Sequence, residues 1–273
     1  MYLWGFIAAN NPIFVLGLFT AFFVLNLGLI IYLGNRTELF AKIFAVGCFF
    51  VVLWTLGTML YQCSTAELVS NDVTRLFFKY IQPFLYYTGF LIVSTFFYFC
   101  YRYPTGEDPN WAVAKLLVLS AILVWPLFFM TDLVVGAHLG YTGTVVFGVP
   151  AGYWYVGPLI HWYSVFFAGL PAYGVWLVYG KMKNATDEIV KKNLLIMISS
   201  LLIGFVFTFI CSTFLPAFQN TDYCIIGMIV SNFWTITVGY SIIKYRQMNV
   251  NFVYAEGIVL IMIFILFINI FLP

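Results

Sequence analysis

Apolar residues in this chain come in runs of about 20, separated by short stretches that hold most of the charges. A helix of that length reaches across roughly 30 Å, the hydrocarbon thickness of a bilayer. Inside lipid every backbone N–H and C=O needs a partner from the protein, which leaves only helices and closed barrels as spanning structures. A barrel strand alternates apolar and polar positions, but segments such as FLIVSTFFYF and LLIGFVFTFI are apolar on consecutive residues. With 63% hydrophobic and 8% charged residues, the chain has too little polar surface to cover a water-soluble globule. The expected fold is all-α: a polytopic helical membrane protein.

Seven spans are expected at residues 13–33, 40–61, 81–101, 111–130, 158–179, 194–214 and 223–243. A further apolar run at 257–272 has 16 residues, short for a full crossing, and is expected to be an eighth, interfacial or re-entrant segment. Residues 1–250 then form one seven-helix domain, followed by a C-terminal apolar segment, 251–273. The stretch from Thr131 to Gly157 is the longest expected loop.

Basic residues near span ends resist translocation, so their distribution sets orientation. Arg36, Lys42, Arg102, Lys115, Lys181, Lys183, Lys191, Lys192, Lys244 and Arg246 fall in one set of alternate loops, and only Arg75 and Lys79 fall in the other. Ten against two places the Lys-rich loops in the cytoplasm and the N-terminus outside, in a cell inner membrane. No basic stretch precedes the first apolar run, so that run is expected to remain as an anchor and not be cleaved as a signal peptide. The Asn35 and Asn184 glycosylation patterns then lie on the cytoplasmic side and are expected to be chance matches.

The net charge of +2, without a basic cluster, argues against a nucleic-acid partner. Cys48, Cys100 and Cys211 are expected as inert apolar thiols within spans. Cys63 and Cys224 lie nearer the outer face, where free thiols are the default and a disulfide the alternative. No metal-ligand spacing, HExxH, GxSxG or phosphate-cradling glycine loop occurs. The chain is therefore read as non-catalytic, without a cofactor.

Helices in lipid associate through small residues that let backbones approach. The sixth span carries Ser200, Gly204, Thr208 and Ser212 at four-residue steps, and the seventh carries Gly227, Ser231, Thr235 and Gly239. These two helices are expected to pack closely. His161, Ser164, Ala168 and Ala172 make a similar stripe on the fifth. Ionisable groups within a bundle are functional leads because burying them unpaired is costly. Asp132, His138 and His161, with Tyr153, Trp154, Tyr155 and Trp162, are the candidates to line an outward-facing ligand cavity. The competing expectation is an interfacial aromatic belt with solvated charges. No relay of carboxylates or histidines crosses the membrane, which disfavours a proton-coupled transporter.

The order of several motifs resembles the N-terminal seven-transmembrane region of bacterial sensor histidine kinases. It comprises Trp54-Thr55-Leu56-Gly57, the stretch RLFFKYIQPFLYYTGFLIVSTFFYFCYRYP, the outer Gly152-Tyr153-Trp154-Tyr155, and VGYSIIKYRQMNV from Val238 to Val250. The resemblance implies a membrane sensory or anchoring module that continues into cytoplasmic signalling domains. Only Asn251 to Pro273 follows here, so this chain is expected not to autophosphorylate. Three functions stay open: a receptor-like or accessory module, a structural subunit docked to other membrane proteins or to copies of itself, and a small-solute transporter or channel.

Overall fold

The computed structural model describes residues 12–62, 72–103, 111–146, 149–218, 220 and 223–244. The apolar run at 257–272, Cys63, and the part of VGYSIIKYRQMNV beyond Lys244 lie outside these residues. Among the described residues there are seven long helices: α1 (Pro12–Gly34), α2 (Leu39–Gln62), α3 (Asp72–Arg102), α4 (Trp111–Phe129), α5 (Ile160–Asn184), α6 (Glu188–Phe209) and α7 (Cys224–Lys244). Five segments are long and apolar enough to cross a membrane: Leu16–Gly34, Leu39–Tyr61, Lys79–Arg102, Trp111–Phe129 and Glu188–Ala217. The other two helices differ in composition. Trp, Tyr, Gly and two lysines dilute the apolar content of α5, and the apolar part of α7 is the shorter Ile229–Ile243.

The expectation of an all-α chain needs one correction. The stretch between Thr131 and Gly157 is not an irregular loop but an antiparallel hairpin, β1 (Val135–Val146) and β2 (Val149–Val156). Its residues are rich in Val, Tyr and Gly, which suit a pleated ribbon, and pairing satisfies backbone groups that a loop against the bundle would strand. The hairpin is locked at its base. Gly157 N–H donates to the Val134 carbonyl at 2.9 Å and Leu159 N–H to the Leu133 carbonyl at 2.8 Å. A Cβ at Gly157 would run into the Asp132 and Leu133 carbonyls, so only glycine fits there.

Six of the helices close a ring. Neighbours run α1–α2–α3–α5–α6–α7 and back to α1, while α4 sits outside it against α3. Polar links tie the ring together at two depths. In its middle, Asn232 on α7 donates from Nδ2 to the Thr55 hydroxyl on α2 at 3.1 Å. At the end away from the hairpin, Lys181 Nζ on α5 donates to the carbonyls of Cys100, Tyr101 and Tyr103 at 3.1, 2.7 and 2.6 Å. A cation there meets the negative end of the α3 dipole and satisfies carbonyls that a helix terminus leaves open. Beside it, Asn193 donates to the Tyr103 hydroxyl at 2.5 Å and accepts a hydrogen bond from Ser241. That junction joins α3, α6 and α7.

Candidate functional site

The end of α6 explains how polar groups come to face the ring interior. Pro216 has no N–H to give and its ring collides with the carbonyl four residues back, Ser212. The helix widens ahead of it into a π-helical turn, Ile210–Phe214, before one last α turn at Leu215–Ala217. The turn carries Thr213 into the core and leaves the Cys211 carbonyl 3.4 Å from the Cys224 thiol.

Above this turn lies a cavity of about 40 Å³, which holds two or three water-sized positions. Trp54, Thr58 and Tyr61 of α2 line it together with Gln82, Tyr86 and Gly89 of α3. Trp154 of β2, Tyr163 and Phe167 of α5, Ser212 and Thr213 of the π turn, and Cys224 of α7 complete the wall. No Asp, Glu, Lys, Arg or His side chain is among the lining residues.

The aromatic frame is interlocked. Trp154, 2% exposed, meets Tyr61 edge-on at 5.9 Å between ring centroids and Tyr86 at 6.4 Å. Tyr86 in turn packs on Tyr163 at 5.4 Å. Gly89 makes this approach possible, because a Cβ there would sit 2.8 Å from the Tyr163 hydroxyl. That hydroxyl donates to the Tyr86 carbonyl at 3.0 Å, binding α5 to α3 across the glycine.

Three buried polar atoms in this wall have no hydrogen bond of ordinary geometry: the Tyr86 hydroxyl and the Trp154 Nε1–H, which interact with each other only outside that geometry, and the Ser212 hydroxyl. Each such group costs about 1–3 kcal/mol when left unmatched, more than a membrane protein gains from a typical interhelical hydrogen bond. Two hydroxyls that both donate and accept, and one indole that only donates, are arranged around one small space. A guest that supplies at least one acceptor and one donor would satisfy them together.

Of the residues expected to line a ligand cavity, Trp154 lines this one, and Asp132, Tyr155, His161 and Trp162 lie elsewhere. Asp132 is exposed, beside Gly136 and Tyr155, and Tyr155 is itself half exposed. His161 is exposed with its ring on Phe218 at 6.1 Å, and Trp162 is 72% exposed. The backbone of His138 pairs with Trp154 in the hairpin. None of Asp132, Tyr155, His161 or Trp162 lines the cavity, whereas Trp154 is central to it. Tyr86 and Ser212 were not singled out as ligand residues. The four-residue ladder ending at Ser212 was the one signal that pointed toward it.

That ladder and its partner place their residues unevenly. Gly204 packs against Trp234, Thr208 donates to the Gly227 carbonyl at 3.3 Å, and Gly227 lies under Ser212, so α6 and α7 touch closely there. Ser231 and Thr235 are buried, with the Thr235 hydroxyl returned to the Ser231 carbonyl. Ser200 is only half buried and bonds within its own helix. Gly239 meets Leu27 of α1 instead of α6. Four residues advance a helix by about 400°, so each step drifts some 40° and a ladder of four cannot hold one face. On α5 the buried face is Ile160, Tyr163, Ser164, Phe167, Pro171, Gly174 and Val178, so the stripe of His161, Ser164, Ala168 and Ala172 is split between the core and the outside.

Among the described residues, no three His, Cys, Asp or Glu side chains come together as a metal site. The chain matches no protein-family model and no curated protein.

Proposed function

We propose that the chain is a receptor-like membrane module whose ligand is a small, uncharged molecule that both donates and accepts hydrogen bonds. The observation that carries this reading is the convergence of the Tyr86, Trp154 and Ser212 polar groups, none with a hydrogen bond of ordinary geometry, on one cavity inside the helical ring. The walls hold no charged group, so a charged guest would lose its hydration without compensation. Cavity size limits the guest to roughly two or three non-hydrogen atoms, unless the hairpin lifts.

The cavity joins the hairpin to four ring helices, α2, α3, α5 and α7, and to the π turn that ends α6. A guest that draws Trp154, Tyr86 and Ser212 together would favour one packing of those elements over another, and only that difference in affinity can shift the equilibrium. In this reading α5 and α7 cross the bilayer with the other five helices, the N-terminus is outside, and the Lys-rich end faces the cytoplasm. The likeness of Trp54-Thr55-Leu56-Gly57 and the Gly152-Tyr153-Trp154-Tyr155 hairpin to bacterial histidine-kinase sensor regions supports a signalling role of this kind.

The test is thermal unfolding of the purified chain in nanodiscs with small neutral amides and alcohols, and with carboxylates and amines of the same size as controls. Neutral compounds raise the midpoint with the logarithm of their concentration above Kd, and the ions do not. In Tyr86→Phe and Ser212→Ala the response disappears while the unliganded midpoint stays level or rises, since an unmatched hydroxyl has been removed. A midpoint unmoved by every compound, or a response that survives both substitutions, rules the reading out.

A further inference from the structure

α4 packs on the outside of the ring against α3. Near the hairpin, Tyr87 packs edge-on against Phe128 and Phe129 at 5.8 and 5.7 Å between centroids, and its hydroxyl donates to the Ala121 carbonyl at 3.2 Å. Toward the Lys-bearing end a groove of about 370 Å³ runs between α2, α3 and α4. Its polarity is ordered along its length. Lys42 and Tyr98 line one end, and Phe50, Leu91, Leu117 and Ala121 line the body. Lys42 is exposed, and Lys115, also exposed, follows the lining residue Ala114 on α4 at the same end.

From Lys42 to Phe50 the helix rises about 12 Å, close to the roughly 15 Å depth of one leaflet's hydrocarbon. An apolar channel of one-leaflet depth with two cations at its mouth fits an acyl chain whose headgroup carries negative charge. We infer that this groove holds one anionic phospholipid from the leaflet on the Lys-rich side, its headgroup at Lys42 and Lys115 and one acyl chain between α2 and α4. An acyl chain gains no hydrophobic energy by moving from lipid into an apolar groove, so the headgroup contact sets the preference. The site is separate from the cavity beneath the hairpin and does not rest on its role.

The experiment is native mass spectrometry of the full chain released from nanodiscs of equimolar phosphatidylglycerol and phosphatidylcholine with identical acyl chains. One lipid is retained per chain, with phosphatidylglycerol favoured. Lys42→Gln lowers that preference about five-fold, as expected for one headgroup lysine. Ala121→Phe, which fills the groove body, removes retention of both lipids while circular dichroism shows unchanged helicity. Equal retention of the two lipids, a preference unchanged in Lys42→Gln, or retention unchanged in a folded Ala121→Phe overturns the inference. If Ala121→Phe loses helicity, the exposed Lys42→Gln substitution decides alone.

Discussion

The third and fourth spans are both apolar helices, yet 67% of the best window in Lys79–Arg102 is buried within the protein and only 6% of that in Trp111–Phe129. Hydropathy alone would rank them the other way, with Trp111–Phe129 the more apolar. A helix that packs against protein can carry Tyr, Thr, Gln and Gly, because neighbours satisfy their polar groups and fit their shapes. One that faces lipid must be uniformly apolar. The less hydrophobic span is therefore the central one, as expected where the solvent is itself apolar.

The sharpest way to break this contrast is to remove what α3 packs against. Trp154→Ala deletes the ring lodged between Tyr61 and Tyr86 and should lower stability by about 3–5 kcal/mol, read as loss of cooperative thermal unfolding in nanodiscs. Gly89→Val should cost about 1–3 kcal/mol by forcing the Tyr163 hydroxyl away and parting α5 from α3. Lys181→Met should also cost about 1–3 kcal/mol, since three carbonyls at the end of α3 lose their donor, and should accelerate hydrogen exchange in that last turn. On α4, by contrast, Ile122→Ala should change stability by less than about 0.5 kcal/mol, because that side chain is 63% exposed. A large effect at Ile122 would mean that α4 is covered by another protein. Orientation adds a fifth check: a cysteine at Tyr155 should react with an impermeant reagent from outside, and one at Lys183 only after permeabilisation, both positions being exposed.

The helices were readable because an apolar run of about 20 residues has few alternatives in lipid, and the ends of α1, α2, α4 and α7 fall within one residue of expectation. Less readable was the stretch from Thr131 to Gly157. Its Gly-Tyr-Trp-Tyr segment fits an interfacial belt as well as a ligand cavity, and the strand pairing that buries Trp154 depends on His138, 16 residues away in the chain. Charge drew attention to Asp132 and His161, but an exposed charge needs no partner at all. The unmatched groups that mark the cavity are neutral side chains on helices far apart in sequence, and a Tyr among 19 carries no signal of being orphaned.

Sequence by itself determined that this chain is a helical membrane protein, because backbone hydrogen bonding in hydrocarbon admits so few forms. It also marked the small-residue ladders as places where a helix approaches a neighbour. Which neighbour it approaches was decided only by tertiary structure. Helix pairing in lipid depends on shape and on a few polar contacts, and these differ little in composition from the surfaces left facing the bilayer. The ring that leaves α4 outside, the cavity under Trp154 and the groove at Lys42 all arise from that choice of neighbours.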